Sequence, residues 1–432
     1  MANPNRLMLD RDDRRTTQNP RRLQGVLQPL PRGNFAGRMV LLVTTLMVAF
    51  GTVAVASASE GQAAANGGST WSIVIHDVVY LGFGLFALYV VARVRLDRLV
   101  ASAPLLIGVG LALLLCVKAI GVTTNGGKRW LNLHVIFLQP SELFKLATVV
   151  FIAWLVQHHH NDLDNWKHLA VWTLPVSVGG LLIVIEPDIG TSSVVLAVAF
   201  VMLAVAGLSR KLLNRSVFLG LAAFGAYMLY KPYSARRFFS FLHPNEHLLG
   251  SGYQLLQSKI GLGAGGLTGL GLGHSREKWG FLPNPHTDFI FTIIGEEMGL
   301  IGTLTVLGLF VWFLFAATRV AQQCTNDVYR LIAVGITTWI VLEAVINIAS
   351  VVGGWAVTGI PLPFFSYGGT ALITELAAVG LLYNIAHDTS RSGDVTIRAH
   401  AATASRTLIA RRPPPRSPRS SSRRSRDSRQ EY

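Results

Sequence analysis

Apolar stretches long enough to cross a lipid bilayer recur along most of this chain, separated by short polar or glycine-rich segments. A helix needs about 20 predominantly apolar residues to span the hydrocarbon core, and many of these stretches approach that length. The pattern predicts an all-α, polytopic integral membrane protein with ten transmembrane helices. The predicted spans cover residues 39–57, 72–92, 103–122, 142–157, 168–186, 190–208, 215–231, 288–317, 330–353 and 366–386.

Composition supports a membrane protein, and the charge is concentrated at the two ends of the chain. Hydrophobic residues make up 51% of the sequence and charged residues only 14%, whereas soluble domains carry about 25% charged residues. Residues 1–38 contribute +5 and residues 388–432 contribute +7 to the net charge of +15. The basic excess therefore belongs to two tails and does not indicate binding to nucleic acid. We expect both tails to be disordered and residues 39–387 to form one membrane domain.

Loop charge predicts how the helices are oriented. Short loops near residues 93–98, 210–215 and 319–330 carry several Lys or Arg, and cytoplasmic loops are enriched in these residues. An even number of spans then places both termini in the cytoplasm. The loops at 125–139, 231–287 and 354–365 fall on the opposite, outer side, and the second of them is the largest.

A single carboxylate marks the outer end of the eighth predicted span. In the segment Gly280–Phe291, Asp288 follows two prolines and a histidine and precedes a strongly apolar run. It can cap a helix that begins at Phe289, where the helix dipole favours a negative charge. It can equally take a proton from a hydroxyl group. The two roles are compatible, because a cap would hold the carboxylate in place.

Other ionisable residues inside the predicted spans have two interpretations each. Glu296 and Glu297 lie two turns beyond Asp288, where they either line a cavity beneath it or hold helices together as buried polar groups. Glu142 and Lys145 are three residues apart on one helical face and can form a structural ion pair. The same arrangement can present Lys145 to a phosphate instead.

Basic residues in the outer loops are candidates for binding an anionic headgroup. Lys128 and Arg129 precede Trp130, a pattern typical of the membrane interface. Arg129 can also bind a phosphate through two hydrogen bonds. Arg236 and Arg237, in the largest outer loop, have the same two interpretations.

Two further outer segments are less specific. The segment Glu186–Thr191 makes a sharp turn between two spans, and its acids are either turn residues or ligands of a divalent cation. Mg²⁺ or Mn²⁺ is the expected ion, although the pattern identifies neither. The segment Gly261–Gly273 holds seven glycines and contains G-x-G-x-x-G, but no strand precedes it, which argues against dinucleotide binding. We expect a flexible or closely packed re-entrant segment there.

Several motifs, in a fixed order within residues 40–387, resemble the SEDS family of bacterial cell-wall polymerases. Each motif alone is weak, whereas the ordered set is highly specific. The motifs are Lys128-Arg129-Trp130-Leu131, Gln139-Pro140-Ser141-Glu142 with Lys145, Pro187-Asp188-Ile189-Gly190-Thr191, Gly252-Tyr253-Gln254 with Gln257-Ser258, Leu282-Pro283 with His286-Thr287-Asp288-Phe289-Ile290-Phe291, Gly295-Glu296-Glu297 and Ser366-Tyr367-Gly368-Gly369.

The resemblance implies a ten-span fold and a peptidoglycan glycosyltransferase that polymerises lipid II into β-1,4 glycan strands, with Asp288 as the essential acid and general base. It implies a location in the bacterial cytoplasmic membrane. The implied partners are the growing glycan on undecaprenyl pyrophosphate, a class B penicillin-binding transpeptidase, other division proteins and membrane lipids. The stretch Ser251-Gly252-Tyr253-Gln254 and the charged tails resemble the division branch (FtsW type), which acts at the septum. The elongation branch (RodA type) stays an alternative.

The candidate site combines one catalytic acid with a set of residues expected to bind substrate. Asp288 would take the proton from the 4-hydroxyl of the acceptor, whose oxygen then displaces pyrophosphate from the anomeric carbon of the donor. Two other classes of protein fit some of the same features: a flippase that moves lipid II, and a scaffold that only recruits the transpeptidase. The substrate-binding candidates are Lys128, Arg129, Glu142, Lys145, Arg236, Arg237, Gln254, Lys259, His286, Glu296 and Ser366.

Overall fold

A computed structural model gives the fold of the membrane domain and its loops. It describes residues 34–65, 70–124, 127–133, 136–159, 162–163, 165–231, 238–239, 241–242 and 251–389. Residues 1–33 and 390–432, which are most of the two basic tails, and most of the largest predicted loop before residue 251 therefore lie outside the described residues. Residues 35–38 and 388–389, which the sequence analysis assigned to the disordered tails, are helical because the first and last helices extend beyond their predicted spans. For the rest of the tails, disorder stays a prediction.

The described chain is mainly helical, with one small antiparallel sheet between the fourth and fifth helices. The sheet has the strand order β1 (Val122–Thr124), β2 (Gly127–Asn132), β3 (Phe137–Leu138). The helices are α1 Phe35–Ala65, α2 Thr70–Val91, α3 Leu96–Ala101, α4 Ala103–Ile120, α5 Pro140–His159, α6 Trp166–Trp172, α7 Leu174–Ile185, α8 Ile189–Val205, α9 Arg210–Tyr230, α10 Ser251–Gly265, α11 Ile290–Gln323, α12 Asp327–Val352 and α13 Thr370–Thr389.

Each of the ten predicted spans corresponds to a helical segment of the structure. Within the described residues, eight helices are long and apolar enough to cross a membrane. The helices α6 and α7 form a ninth candidate, bent by 57° at Thr173. The remaining predicted span is α8, a shorter apolar helix. The prediction of a polytopic helical membrane protein is confirmed, and a count of ten is compatible with these segments.

The centre of the bundle is built from α5, α8, α12 and α13, which bury more of their surface than the outer helices do. Small residues allow close contact there. A Cβ on Gly179 of α7 would lie 2.0 Å from the ring of Phe144, so only glycine admits this buried aromatic side chain. The helix α9 lies at the periphery and buries only Leu212 and Met228 among its described side chains. Its exposed apolar surface suits contact with lipid.

The start of α11 differs from the sequence prediction. The helix begins at Ile290, and Phe289 occupies the capping position. The prediction of a helix that begins at Phe289, with Asp288 at the capping position, was therefore wrong by one residue. The physical reason lies in the preceding backbone, because residues 285–289 form their own turn before the helix begins.

A kink at Gly299 divides α11 into a short first segment and a long second one. Gly299 has φ 64° and ψ −157°, a conformation that disfavours other residues. The amides of Leu300 and Ile301 bond to the carbonyls of Gly266 and Leu267 rather than to their own helix. The glycine-rich segment after α10 therefore packs closely against α11, as one of the two sequence interpretations expected.

Candidate functional site

Asp288 lies in the turn that leads into α11, and its carboxylate is held by the neighbouring residue. The hydroxyl of Thr287 donates to Asp288 Oδ1 at 2.9 Å and also lies 2.9 Å from the carbonyl oxygen of Asn284. The Asp288 side chain is half-buried, whereas Phe289 and Ile290 directly after it are buried. The turn therefore presents one carboxylate at the edge of the core with a defined orientation.

The backbone of Asp288 is fixed from a second helix. The side-chain amide of Asn347, on α12, donates to the carbonyl oxygen of Asp288 and to that of Ile360, both at 2.8 Å. One buried amide thus joins the turn before α11 to the loop after α12. This pair of hydrogen bonds sets the distance between the two loops.

A small, partly open cleft lies between these loops, beside Asp288. The polar residues that line it are Asp288, Asn347, Ser350 and Thr358. The rest of the lining is apolar or glycine. The lining residues are Asp288, Phe289, Asn347, Ser350, Val351, Val357, Thr358, Gly359 and Ile360.

The turn after α7 adjoins this cleft and carries the predicted outer-loop cluster. A Cβ on Gly190 would lie 2.8 Å from Ile360 and 3.0 Å from Thr358, two residues of the cleft lining. Asp188, two residues earlier, caps α8 by accepting a hydrogen bond from the amide of Thr191 at 3.0 Å. The sequence interpretation of these acids as turn residues therefore describes Asp188 well.

Arg129 belongs to the same cluster. Its Nε donates to the carbonyl oxygen of Glu186 at 3.0 Å, its Nη2 bonds to the carbonyl oxygen of Pro187, and its Nη1 lies 4.0 Å from Asp188 Oδ2. About a quarter of the Arg129 side chain is exposed. The strand β2 and the turn after α7, far apart in sequence, therefore meet through one guanidinium group.

Glu186 is the unusual acid of this cluster. Its side chain is buried, and its Oε1 has no hydrogen-bond partner among the described residues. Burial, together with the nearby charge of Asp188, raises the pKa of Glu186 to about 8, although Arg129 opposes the shift. Glu186 is therefore largely protonated at neutral pH.

His286 lies close to Asp288 in sequence but has the surroundings of a structural residue. Its ring is buried and tilts against the ring of Tyr367, with 5.5 Å between centroids. Burial lowers the pKa of His286 to about 4. The imidazole is therefore neutral at physiological pH and does not supply a positive charge to the site.

Lys145 is enclosed by carboxylates within the bundle. Its Nζ lies 2.8 Å from Glu142 Oε2 and bonds to Glu343 on α12, and all three side chains are about 2% exposed or less. The indole of Trp339 donates to Glu343 at 2.7 Å. These contacts favour the structural ion pair over the phosphate-binding role for Glu142 and Lys145.

Glu296 and Glu297 also hold structural elements together. The carboxylate of Glu296 accepts from the hydroxyl of Ser275 and from the amide of Arg276 at 2.9 Å. Glu297 accepts from Ser57 of α1 at 2.6 Å and lies 3.5 Å from the ammonium group of Lys278. Neither acid is among the residues that line the cleft beside Asp288. The structural alternative is the better description of this pair.

The remaining candidates are scattered around the site. Lys128 is exposed on β2, and Gln254 is half-buried on α10. The Lys259 side chain lies over Gly353 at the end of α12, where a Cβ would be 2.3 Å from its Cε. The hydroxyl of Ser366 accepts from the amide of Leu362 at 2.8 Å, which closes a turn. Arg236 and Arg237 lie outside the described residues.

Sequence analysis missed the polar face of α12. Glu343, Asn347 and Ser350 follow one another at spacings of four and three, so they share one side of the helix. Each bonds to a different partner: Glu343 to Lys145, Asn347 to Asp288 and Ser350 to the carbonyl of Ala356. This spacing of polar residues in an apolar helix was the signal that could have revealed them.

The described residues do not form a metal site of their own. No group of three or more His, Cys, Asp or Glu side chains in the described part of the chain has a geometry that could hold an ion. Asp288 is the one acid among the residues that line its cleft. The donor set therefore does not fit an Mg²⁺ or Mn²⁺ ion held by these side chains alone.

Comparison with known proteins identifies the family. A family model described as "Cell cycle protein" (FtsW, RodA and SpoVE) matches residues 37–391. The chain is 36% identical over 360 residues to the probable peptidoglycan glycosyltransferase FtsW of Coxiella burnetii, covering 81% of this chain and 96% of that protein. It is 35% identical over 353 residues to stage V sporulation protein E of Bacillus subtilis, covering 80% of this chain and 96% of that protein.

Solved structures of other proteins are also similar to this chain. A chain from a structure described as "Structural coordination of polymerization and crosslinking by a peptidoglycan synthase complex" matches with a TM-score of 0.67 and 28% identity, covering 83% of this chain and 98% of that one. The rod shape determining protein RodA of Thermus thermophilus matches with a TM-score of 0.59 and 27% identity, covering 83% of this chain and 97% of that one. The matches span nearly the whole membrane domain, and the chain therefore belongs to the FtsW, RodA and SpoVE family of cell cycle proteins.

Proposed function

We propose that this protein is a peptidoglycan glycosyltransferase that polymerises lipid II, with Asp288 as its general base. The names of its relatives support the activity, and the matches cover almost the full length of those proteins. The observation that carries the assignment to Asp288 is its position. It is a half-buried carboxylate, oriented by Thr287 and fixed through its backbone by Asn347, at the edge of a small, partly open cleft.

The reaction is a displacement at an anomeric carbon. Asp288 accepts the proton of the acceptor sugar's 4-hydroxyl while that oxygen forms a bond to the anomeric carbon of the donor. The bond from this carbon to the pyrophosphate oxygen breaks, and the pyrophosphate leaves with its lipid and the bonding electrons. The product is a β-1,4 linkage with inverted configuration, and Asp288 then releases its proton to water. A positioned base of this kind contributes about 10²–10⁴-fold to the rate.

The leaving pyrophosphate requires positive charge nearby, and the basic residues that could supply it differ in how accessible they are. Lys145 is enclosed by two carboxylates and is 2% exposed, which argues against this role. Arg129 is partly exposed beside the turn that adjoins the cleft, which supports it as a headgroup contact. Arg236 and Arg237 keep their proposed role from the sequence alone. No step is assigned to a metal ion.

Orientation and partners complete the proposal. Loop charge supports cytoplasmic termini and an outer face that carries Asp288, where lipid-linked sugars would arrive. One similar structure is of a peptidoglycan synthase complex and concerns the coordination of polymerisation with crosslinking. This supports a class B penicillin-binding transpeptidase as the partner of this chain. Relatives named FtsW support the division branch and action at the septum.

The decisive experiment compares purified wild type, Asp288→Asn and Asp327→Asn on lipid II, each with and without the transpeptidase partner. Asp327 is an exposed acid at the start of α12 and serves as the matched control. We expect glycan strands from the wild type and from Asp327→Asn but none from Asp288→Asn, with all three equally stable. Full synthesis by Asp288→Asn would overturn the assignment. Lipid movement across vesicles without glycan product would instead support a flippase.

A further inference from the structure

Gly359, in the loop after α12, borders the carboxylate of Asp288. A Cβ on Gly359 would lie 3.9 Å from Asp288 Oδ2, and apart from its two chain neighbours no other described heavy atom comes within 4 Å of that position. Gly359 is exposed and is one of the residues that line the cleft. The space beside this carboxylate oxygen is therefore open because residue 359 has no side chain.

The positions of Gly359 and Asp288 relative to each other are fixed by one side chain. The amide of Asn347 donates to the carbonyl oxygen of Asp288 and to that of Ile360, which directly follows Gly359. The carboxylate is itself oriented by the hydroxyl of Thr287, which donates to its other oxygen, Oδ1. Hydrogen bonds therefore hold the open space in place from both of its sides.

We propose that Gly359 is a positioning residue for the acceptor: its missing side chain gives the reacting hydroxyl group access to Asp288 Oδ2, and the size of residue 359 limits that access. This inference rests on the proposed function. The cleft is small, so only the hydroxyl group enters it, while the rest of the sugar stays on the exposed side of the loop. A general base must come within about 2.6–3.2 Å of the oxygen whose proton it takes, and a side chain beside Oδ2 would compete for that place.

The backbone offers a second reason for glycine at this position. Gly359 has φ 75°, in the left-handed region that residues with a Cβ rarely adopt. This strain would lower the stability of a variant whether or not its side chain obstructs Asp288. Asparagine tolerates positive φ better than alanine does, yet its side chain is larger. The two explanations therefore predict opposite orders of activity for these two substitutions.

The first test measures kcat/KM for polymerisation of lipid II, and thermal midpoints, for wild type, Gly359→Ala and Gly359→Asn. We expect Gly359→Asn to be the more stable variant but the slower one, with a loss of about 10²-fold, the lower end of what a positioned base contributes. Gly359→Ala should lose less. The matched controls are Gly207→Ala and Gly207→Asn, in the turn between α8 and α9, where φ is 92° and an added Cβ has no neighbour within 4 Å. They should show the same order of stability with wild-type rates.

A second test changes the size of residue 359 after folding. Gly359→Cys is purified and then labelled with methanethiosulfonates of increasing size, which form a disulfide with the thiol and are removed by dithiothreitol. We expect the rate to fall with the size of the label and to return on reduction. The controls are Gly207→Cys and the wild type, whose two cysteines are the exposed Cys116 and the buried Cys324. Both should keep their rates under the same treatment.

The outcomes separate this inference from the proposed function. A wild type that makes no glycan contradicts the polymerase, and the role of Gly359 with it. With an active wild type, the role of Gly359 alone is overturned if Gly359→Asn is at least as fast as Gly359→Ala, or if the largest label on Gly359→Cys leaves the rate unchanged. The labelling starts from folded protein, so it decides the question even where Gly359→Asn fails to fold.

Discussion

Lys145 on α5 and Glu343 on α12 form a buried ion pair, and Glu142 lies 2.8 Å from the same ammonium group. The three side chains are almost fully enclosed, so one cation stands between two carboxylates in the middle of the bundle. The ring of Trp339 lies 4.9 Å from the Lys145 nitrogen and adds a cation–π contact. This cluster ties together two central helices that lie almost 200 residues apart in sequence.

Replacing Lys145 by Met should strongly destabilise the protein. The change leaves two buried carboxylates without their counter-charge, and breaking a buried pair in this way costs about 3–5 kcal/mol. Thermal unfolding in detergent micelles measures the loss. Lys211→Met, at an exposed position of α9, is the matched control and should unfold like the wild type. An unchanged midpoint for Lys145→Met would show that the cluster does not hold the bundle together.

Glu186 should make stability depend on pH between about 4.5 and 8. Burial and the charge of Asp188 raise its pKa from 4.5 to about 8 in the folded protein, although the positive charge of Arg129 opposes this shift. Within this window the folded protein holds a proton that the unfolded chain has released. The contribution of Glu186 to stability is therefore complete below pH 4.5, falls as the pH rises, and is lost above pH 8.

The measurement compares the thermal midpoints of wild type and Glu186→Gln at several pH values across that window. Glutamine stays neutral, so the variant should lose less stability on going from pH 5 to pH 8, by at most about 1.4 kcal/mol per pH unit. Other groups such as Glu277, whose pKa burial raises to about 7, titrate equally in both proteins. Parallel pH profiles of the two proteins would rule out the shift.

Titration of His286 should not contribute to the pH dependence of activity near neutral pH. Its pKa is lowered to about 4 by burial, so the ring stays neutral from pH 5 to pH 8. His286→Gln can lower the rate through the lost contact with Tyr367, but we expect the inflections of its pH–rate profile to keep their positions. An inflection that disappears in His286→Gln would instead identify the ring as a titrating group of the reaction.

The pH dependence of stability is an independent test of the lowered pKa of His286. The unfolded chain binds a proton at His286 between pH 6.5 and pH 4, whereas the folded protein does not. The wild type should therefore lose stability relative to His286→Gln as the pH falls through this range. Equal losses in both proteins would contradict the lowered pKa.

The helices and the position of Asp288 were predictable because they depend on local patterns. Apolar runs of bilayer length predict spans wherever they occur, and an acid between a proline-rich turn and an apolar run is visible without any structure. The end of a helix is less certain, since backbone turns compete with capping. The one-residue error at Asp288 and Phe289 arose in this way.

The partners of each polar side chain were not predictable, because they come from distant parts of the chain. Nothing local indicates that Lys145 pairs with Glu343, or that Asn347 reaches the backbone of Asp288. The first contact argues against a substrate-binding role for Lys145, and the second places Asn347 beside Asp288. Sequence alone indicated plausible chemistry, whereas packing distinguished structural charges from those beside the cleft.

Gly61 should be sensitive to substitution, because α1 touches the turn that leads towards Asp288. A Cβ on Gly61 would lie 1.8 Å from the carbonyl oxygen of Lys278, in the short 3-10 turn Glu277–Trp279. The Lys278 ammonium bonds to Glu60 at 2.6 Å, so the two elements are also joined by charge. Gly61→Ala must push the turn away from α1, and overpacking of this kind costs about 1–3 kcal/mol.

The displaced turn should also reduce glycan synthesis by Gly61→Ala, because the same loop carries Asp288. Gly108→Ala is the matched control: it lies within α4, and nothing approaches within 4 Å of its added Cβ. Alanine is favoured over glycine inside a helix by about 0.5–1 kcal/mol, so this variant should be at least as stable as the wild type. Thermal midpoints and polymerisation rates of both variants decide the question. If Gly61→Ala behaves like Gly108→Ala in both measurements, the contact between α1 and the turn does not position the site.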